Sequence, residues 1–381
     1  MEGTTFIDDL FKKYDIAEPH DENHELAEIS ELSKKGYQLL KENKIFEAVD
    51  CFEKIILIDE YNNYALVGMG DAFRKRGSFR EAIIFYQRCL VHHPGNNYAL
   101  FGLADCFKAL NQFQKAIEIW EQYLVHDEKN ITVLTRVADA YRKIKNFKHS
   151  KAVYLRVLEM ENDNPYAIIG LGHLHYDFKE YTEALYYWKK MLLTADYSTI
   201  DIRVLTSIGN CHRKLKTFDE GIIYFEKALE RDLYNFYALF GMADCYRGMN
   251  MPLKSLEYWD RIIEQDPRNK VILTRAGDAY RSLENYDKAI EYYEKAINIE
   301  FDTYAVLGLA IVAKVRGRYP DAIESLCRLI QQDPKNYRLY IELADCFVKT
   351  NEKNKAIELL EEFQKLGGRN TAIMDFLEKI K

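Results

Sequence analysis

Five look-alike segments of this 381-residue chain each place an acid three residues before a base: Asp71/Arg74, Asp105/Lys108, Asp139/Arg142, Asp244/Arg247 and Asp278/Arg281. In a sixth segment Asn210 stands in for the acid, before Arg213. On a helix this spacing puts both side chains on one side, close enough to pair. Such a series serves one of two purposes: an ion-pair ladder that neutralises itself, or a row of charges that meets a ligand. Exposed pairs alone contribute at most about 1 kcal/mol each.

Other residues capable of chemistry are placed unfavourably for it. His173 and His175 lie two apart, and Cys211 and His212 are adjacent, so on a helix each pair diverges instead of sharing a metal. No glycine-rich loop is set to cradle a phosphate. Acidic pairs are plentiful, but nothing brings one into an apolar pocket of the kind that separates an acid from a base. The expectation is a protein with no catalytic residues, no cofactor and no metal.

The elements that would carry the charges repeat. YALFGLADCF (Tyr98–Phe107) returns as YALFGMADCY (Tyr237–Tyr246), 139 residues later, and the flanks follow through Trp120/Trp259 and Asp139-Ala140-Tyr141/Asp278-Ala279-Tyr280. Within each copy small residues recur every 34 positions at Gly70, Ala104, Ala138 and Gly172, and again at Gly209, Ala243 and Gly277. About twelve residues on comes a second small residue, Ala82 and Ala116 for instance, and four after that a large apolar one: Phe52, Tyr86, Trp120, Tyr154, Trp188, Phe225, Trp259, Tyr293, Leu326 and Leu360. Phe79, Ala82, Ile83, Tyr86 and Leu90 fall on one helical stripe.

The pattern resembles the tetratricopeptide repeat (TPR), with its small residues, its A-x3-F step and its closing proline, here Pro94, Pro267 and Pro334. The resemblance covers ten units, 29–62, 63–96, 97–130, 131–164, 165–201, 202–235, 236–269, 270–302, 303–336 and 337–370. It implies an all-α fold, a right-handed superhelical solenoid of antiparallel helix pairs in which neighbours bury one another's apolar stripes. Residues 199–201 are additional to the period, which suits either a hinge or a longer turn. Residues 371–381 are expected to form a capping helix through Ile373, Phe376, Leu377 and Ile380. Residues 1–28 are expected to hold an amphipathic helix (Phe6, Ile7, Leu10, Phe11, Tyr14) and an acidic linker, 18–28.

In the family the first helix of each pair lines a concave groove through positions 2, 5, 6, 9, 12 and 13. Carried onto this chain, position 2 gives Tyr64, Tyr98, Tyr166 and Tyr237. Position 5 includes Phe101 and Phe240; position 6 gives Gly102 and Gly241, with Arg136 and Arg275 in two other units. Position 9 gives Asp71, Asp105, Asp139, Asn210, Asp244 and Asp278. Position 12 gives Arg74, Lys108, Arg142, Arg213, Arg247 and Arg281. Glycine inside a helix costs about 1 kcal/mol relative to alanine, so its recurrence at position 6 suggests a groove deepened beside the tyrosines for another chain's backbone. Family members that hold a chaperone's C-terminal carboxylate use Lys and Asn at positions 5 and 9. This chain departs from that pattern, which points instead to an extended peptide of mixed charge with apolar anchors, its basic residues meeting the aspartate row.

Net charge is −7 with both signs interspersed, so no basic footprint marks a nucleic-acid partner. Seven cysteines without a CxxC pair suggest a reducing, cytoplasmic home, and no run is long and apolar enough to span a membrane. The expected function is a non-catalytic scaffold or adaptor for protein partners. One alternative is a homo-oligomer assembled by docking residues 1–28 into a neighbouring copy, where the plainer role of that segment is a cap on the first repeat; another is the regulatory or targeting arm of an enzyme complex.

Overall fold

The computed structural model describes residues 22–194, 201–365, 367 and 370–381. The amphipathic segment 4–14, residues 199 and 200 of the insertion, and Gly368 lie outside the described residues. Among the described residues there are twenty-one helices and no strand. The chain divides into two compact units, residues 1–194 and 195–381.

In the first unit α1 (Glu22–Lys41) pairs with α2 (Ile45–Ile58), α3 (Asn63–Lys75) with α4 (Phe79–His92), and α5 (Asn97–Ala109) with α6 (Phe113–His126). Then α7 (Ile131–Lys143) pairs with α8 (Phe147–Met160), and α9 (Pro165–Asp177) with α10 (Tyr181–Thr194). The second unit repeats the plan with α11 (Ile202–Leu215) and α12 (Phe218–Leu229), α13 (Phe236–Gly248) and α14 (Pro252–Gln265), and α15 (Lys270–Ser282) and α16 (Tyr286–Ile299). It continues with α17 (Thr303–Val315) and α18 (Tyr319–Gln332), then α19 (Tyr337–Lys349) and α20 (Lys353–Lys365), and ends in α21 (Thr371–Ile380).

Local signals start and stop these helices. The side chains of Asn62, Asn96, Asn130, Asn164, Asn235 and Asn269 each accept the backbone N–H three residues on, capping a first helix. Such a cap contributes about 1 kcal/mol. Within a pair the chain reverses through one left-handed residue, supplied by Gly77 and Gly317 in two turns and by Asn, Lys or Glu in the others.

The core of each stack is a row of large rings. Trp120, Trp188, Trp259, Tyr86, Tyr154, Tyr293, Phe52 and Phe225 are fully buried. A ring from one second helix lies under the first helix of the next pair. Where that ring is monocyclic, a glycine follows sixteen or fifteen residues later and the two first helices close over it. A Cβ on Gly68, Gly102, Gly170, Gly241 or Gly308 would overlap the ring of Phe52, Tyr86, Tyr154, Phe225 or Tyr293 respectively. At two of the indoles, Trp120 and Trp259, the matching position in the next unit holds Arg136 or Arg275 in place of glycine.

Helix α1 starts at Glu22, inside the stretch expected to be an acidic linker. Further along, Ile29 and Leu32 pack on the first core. At the other end α21 buries Ile373, Leu377 and Ile380 against Tyr340, Leu360 and Phe363.

Candidate binding face on the first helices

In the first unit the charge row forms two connected groups. Asp71 accepts hydrogen bonds from Arg74 Nη2 at 2.8 Å and from the Tyr86 hydroxyl at 2.7 Å, and Arg74 Nε donates to the same hydroxyl at 3.1 Å. Arg74 Nη1 is 4.0 Å from Asp105, which is held more closely by Arg136 at 2.6 Å. Arg136 also lies 4.8 Å over the Phe101 ring. Asp139 takes Arg142 at 3.2 Å and the Tyr154 hydroxyl at 2.8 Å, while Arg142 reaches on to Asp177 at 2.7 Å. Lys108 has no ion pair or hydrogen bond among the described residues.

The second unit is connected differently. Arg213 donates to Asn210 at 3.1 Å and to Asp244 at 2.5 Å. Arg247 grips the other oxygen of Asp244 at 2.8 and 2.6 Å. Burial by itself would raise the Asp244 carboxyl, but the two guanidiniums outweigh it and hold it below the usual carboxylate range. Asp278 accepts from Arg281 at 3.4 Å and from the Tyr293 hydroxyl at 2.8 Å. Lys314 bridges Glu342 and Asp345, both at 2.6 Å. Arg275 is left with no partner among the described residues. Phe240 packs edge-on against Trp259, ring centres 5.2 Å apart.

Beside these charges the position-2 tyrosines point into solvent. Tyr98 is 79% exposed, Tyr166 74%, Tyr237 68% and Tyr64 61%. Tyr304 continues the row in the second unit.

Two expectations change. Gly102 and Gly241 are buried and make room for the rings beneath, so they do not deepen a groove for a foreign backbone. Their place on the candidate face is a consequence of packing. Conversely, Tyr86, Tyr154 and Tyr293 join the charge row from below, each donating to the aspartate fifteen residues earlier. Burial pushes their hydroxyls well above the usual tyrosine range, so they remain donors. The signal for them was in the sequence: a Tyr at the large-ring position, followed by glycine in the next unit.

Elsewhere several of the reactive side chains serve packing. His175 is buried with Nδ1 2.6 Å from Glu180, whereas His173 lies against Trp188. Burial pushes the thiols of Cys106, Cys211 and Cys245 up to about 12, and that of Cys346 to about 11, which keeps them as packing groups. Among the described residues no three metal-ligating side chains converge, and no helix is long and apolar enough to cross a membrane.

Family models described as tetratricopeptide repeat match residues 39–130, 131–164, 202–235, 237–269, 272–303 and 316–367. The chain belongs to the tetratricopeptide repeat family. A curated protein similar to one part of it is the RNA polymerase-associated protein CTR9 of Caenorhabditis elegans, 30% identical over 86 residues. That match takes in 23% of this chain and only 7% of CTR9. Among solved structures, yeast Tom70 aligns over 95% of this chain and 96% of its own at 16% identity and a TM-score of 0.43. YrrB, described as a TPR protein with an unusual peptide-binding site, aligns over 49% of this chain and 95% of its own at 22% identity and a TM-score of 0.42. The TPR framework supports a protein-interaction scaffold.

Proposed function

We propose that this TPR protein is a non-catalytic scaffold that binds an extended protein or peptide segment against the first helices of its stacks. The observation that carries the proposal is the row of exposed tyrosines beside an ordered charge row. Ion pairs account for most of the charges, but nothing in the packing calls for Tyr64, Tyr98, Tyr166 and Tyr237 to stand in water. Tyrosine offers flat contact area with a hydrogen-bonding tip and loses little conformational freedom on binding, which suits it to a contact surface. Seven unpaired cysteines, six of them buried, fit a reducing cytoplasmic setting.

The test is affinity capture from the native cell with the wild-type chain and with a Tyr98→Ala/Tyr237→Ala double variant. Both side chains are exposed, so the variant should keep its helical content by circular dichroism. The proposal expects specific partners to be lost from the variant. Recovery of the same partners at the same yield would remove the first helices as the binding face.

A further inference from the structure

At positions 6, 9 and 12 of the second unit, the rungs of the ladder, every carboxylate already has a cation, and one cation has no carboxylate among the described residues. Asp244 is taken by Arg213 and Arg247, Asp278 by Arg281, and Asp345 with Glu342 by Lys314. Arg275 alone is unspent among the described residues of this ladder. Its counterpart in the first unit, Arg136, is committed to Asp105 and to the Phe101 ring. From this we infer that Arg275 is an anchor point for an acidic side chain of an extended peptide, with the exposed rings of Tyr237 and Tyr304 on the preceding and following repeats as its flanking contacts.

This reverses the charge expected of the partner. A basic peptide residue approaching the aspartate row would have to displace an internal arginine or tyrosine from each acid it met, and the arginine released would repel it. An acidic residue meets a guanidinium whose planar fork of donors matches a carboxylate and needs to displace nothing. A nucleic-acid backbone fits less well, because Asp244 on the preceding repeat and Asp278 one turn along the same helix would repel a continuous line of phosphates. One isolated carboxylate between apolar residues suits the site best.

The inference rests on the scaffold reading, and one experiment separates the two. Three fluorescein-labelled decapeptides share a Gly-Ser-Leu-Tyr frame and differ at one central residue: Glu, Gln or Lys. Their binding to the full chain is read by fluorescence anisotropy at low salt. The Glu peptide is expected to bind roughly tenfold tighter than the other two, the scale of a charge-assisted hydrogen-bonded contact. Arg275→Gln should make the Glu and Gln peptides equal. Lys295→Gln, an exposed change on α16 away from the ladder, should leave the preference intact.

A preference for the Lys peptide, or a Glu preference that survives Arg275→Gln, would overturn the inference. Equal binding of all three, abolished by Tyr237→Ala, would end the acidic anchor while leaving the scaffold reading in place. No binding by any peptide, or binding indifferent to Tyr237→Ala, would count against both. A single-stranded RNA oligonucleotide that outcompetes the Glu peptide would likewise reject a peptide carboxylate as the ligand.

Discussion

Asp105 and Asp244 sit at the same place in two nearly identical decapeptides, and opposite neighbours hold them. Asp105 is clasped by Arg136 of the following repeat, while Asp244 is clasped by Arg213 of the preceding repeat and by its own repeat's Arg247. The causes lie outside the decapeptides. In the first unit Asp71 and the Tyr86 hydroxyl occupy Arg74, so only its far nitrogen approaches Asp105, to 4.0 Å. In the second unit those two groups are replaced by Asn210 and Phe225. Arg213 then has only an amide oxygen at home and reaches forward to Asp244. The remaining difference is Lys108 against Arg247: the longer forked side chain closes on its own aspartate. A duplicated motif therefore keeps its packing role while its electrostatic wiring, and with it the charge left over for a partner, is set by neighbours one repeat away.

The largest effect should come from the packing that the two units share. Gly102→Val places a branched side chain against the Tyr86 ring and should cost about 3 kcal/mol, the upper range for overpacking a filled core. Arg136→Ala, at the same repeat position one unit later, should cost under about 1 kcal/mol, since the partly exposed guanidinium leaves no cavity in the core. Urea denaturation of both variants checks this, and equal costs would break the claim that glycine and arginine mark two kinds of helix junction.

The next effect sharpens the comparison itself. Asp244→Asn strands two partly buried guanidiniums and should destabilise by about 2 kcal/mol, whereas Asp105→Asn should cost about 1 kcal/mol. Because the Asp244 carboxyl is held below its unfolded value of about 3.9, its contribution is fully present above that value and is lost as pH falls through the folded one. Stability measured from pH 7 down to pH 3 should therefore fall less steeply for Asp244→Asn than for the wild type. Parallel acid limbs would contradict the double clasp.

The smallest effect concerns the matched turns at Lys145 and Glu284, which both hold a left-handed backbone. Replacing either by glycine relieves a strained φ and should stabilise by about 0.5 kcal/mol, part of the gain being offset by a freer unfolded chain. Thermal melts of the two variants should shift upward alike, because this turn is one element the two units do not vary.

Much of this was legible in the sequence. The 34-residue period and its small and large residues are enough to specify the helix pairs, because each unit must bury its stripe on a neighbour. The meaning of the position-6 glycines was not legible from propensity alone, since a missing side chain can make room on either side of a helix. The informative signal was the relation between positions: Tyr86 with Gly102 and Phe225 with Gly241, as against Trp120 with Arg136 and Trp259 with Arg275. The helix-capping asparagines, spaced by the same period, were an overlooked signal of the same kind. The partners of Asp244 lay beyond sequence reading, because which arginines close on one carboxylate is settled by competition and geometry, not by spacing.

The most direct test of the different wiring is a pair of double-mutant cycles on the full chain, Arg213→Gln with Asp244→Asn and Arg74→Gln with Asp105→Asn, each followed by urea denaturation. The structure predicts a coupling of about 1–2 kcal/mol for the first pair and close to none for the second. Equal couplings, or a larger one between Arg74 and Asp105, would contradict it.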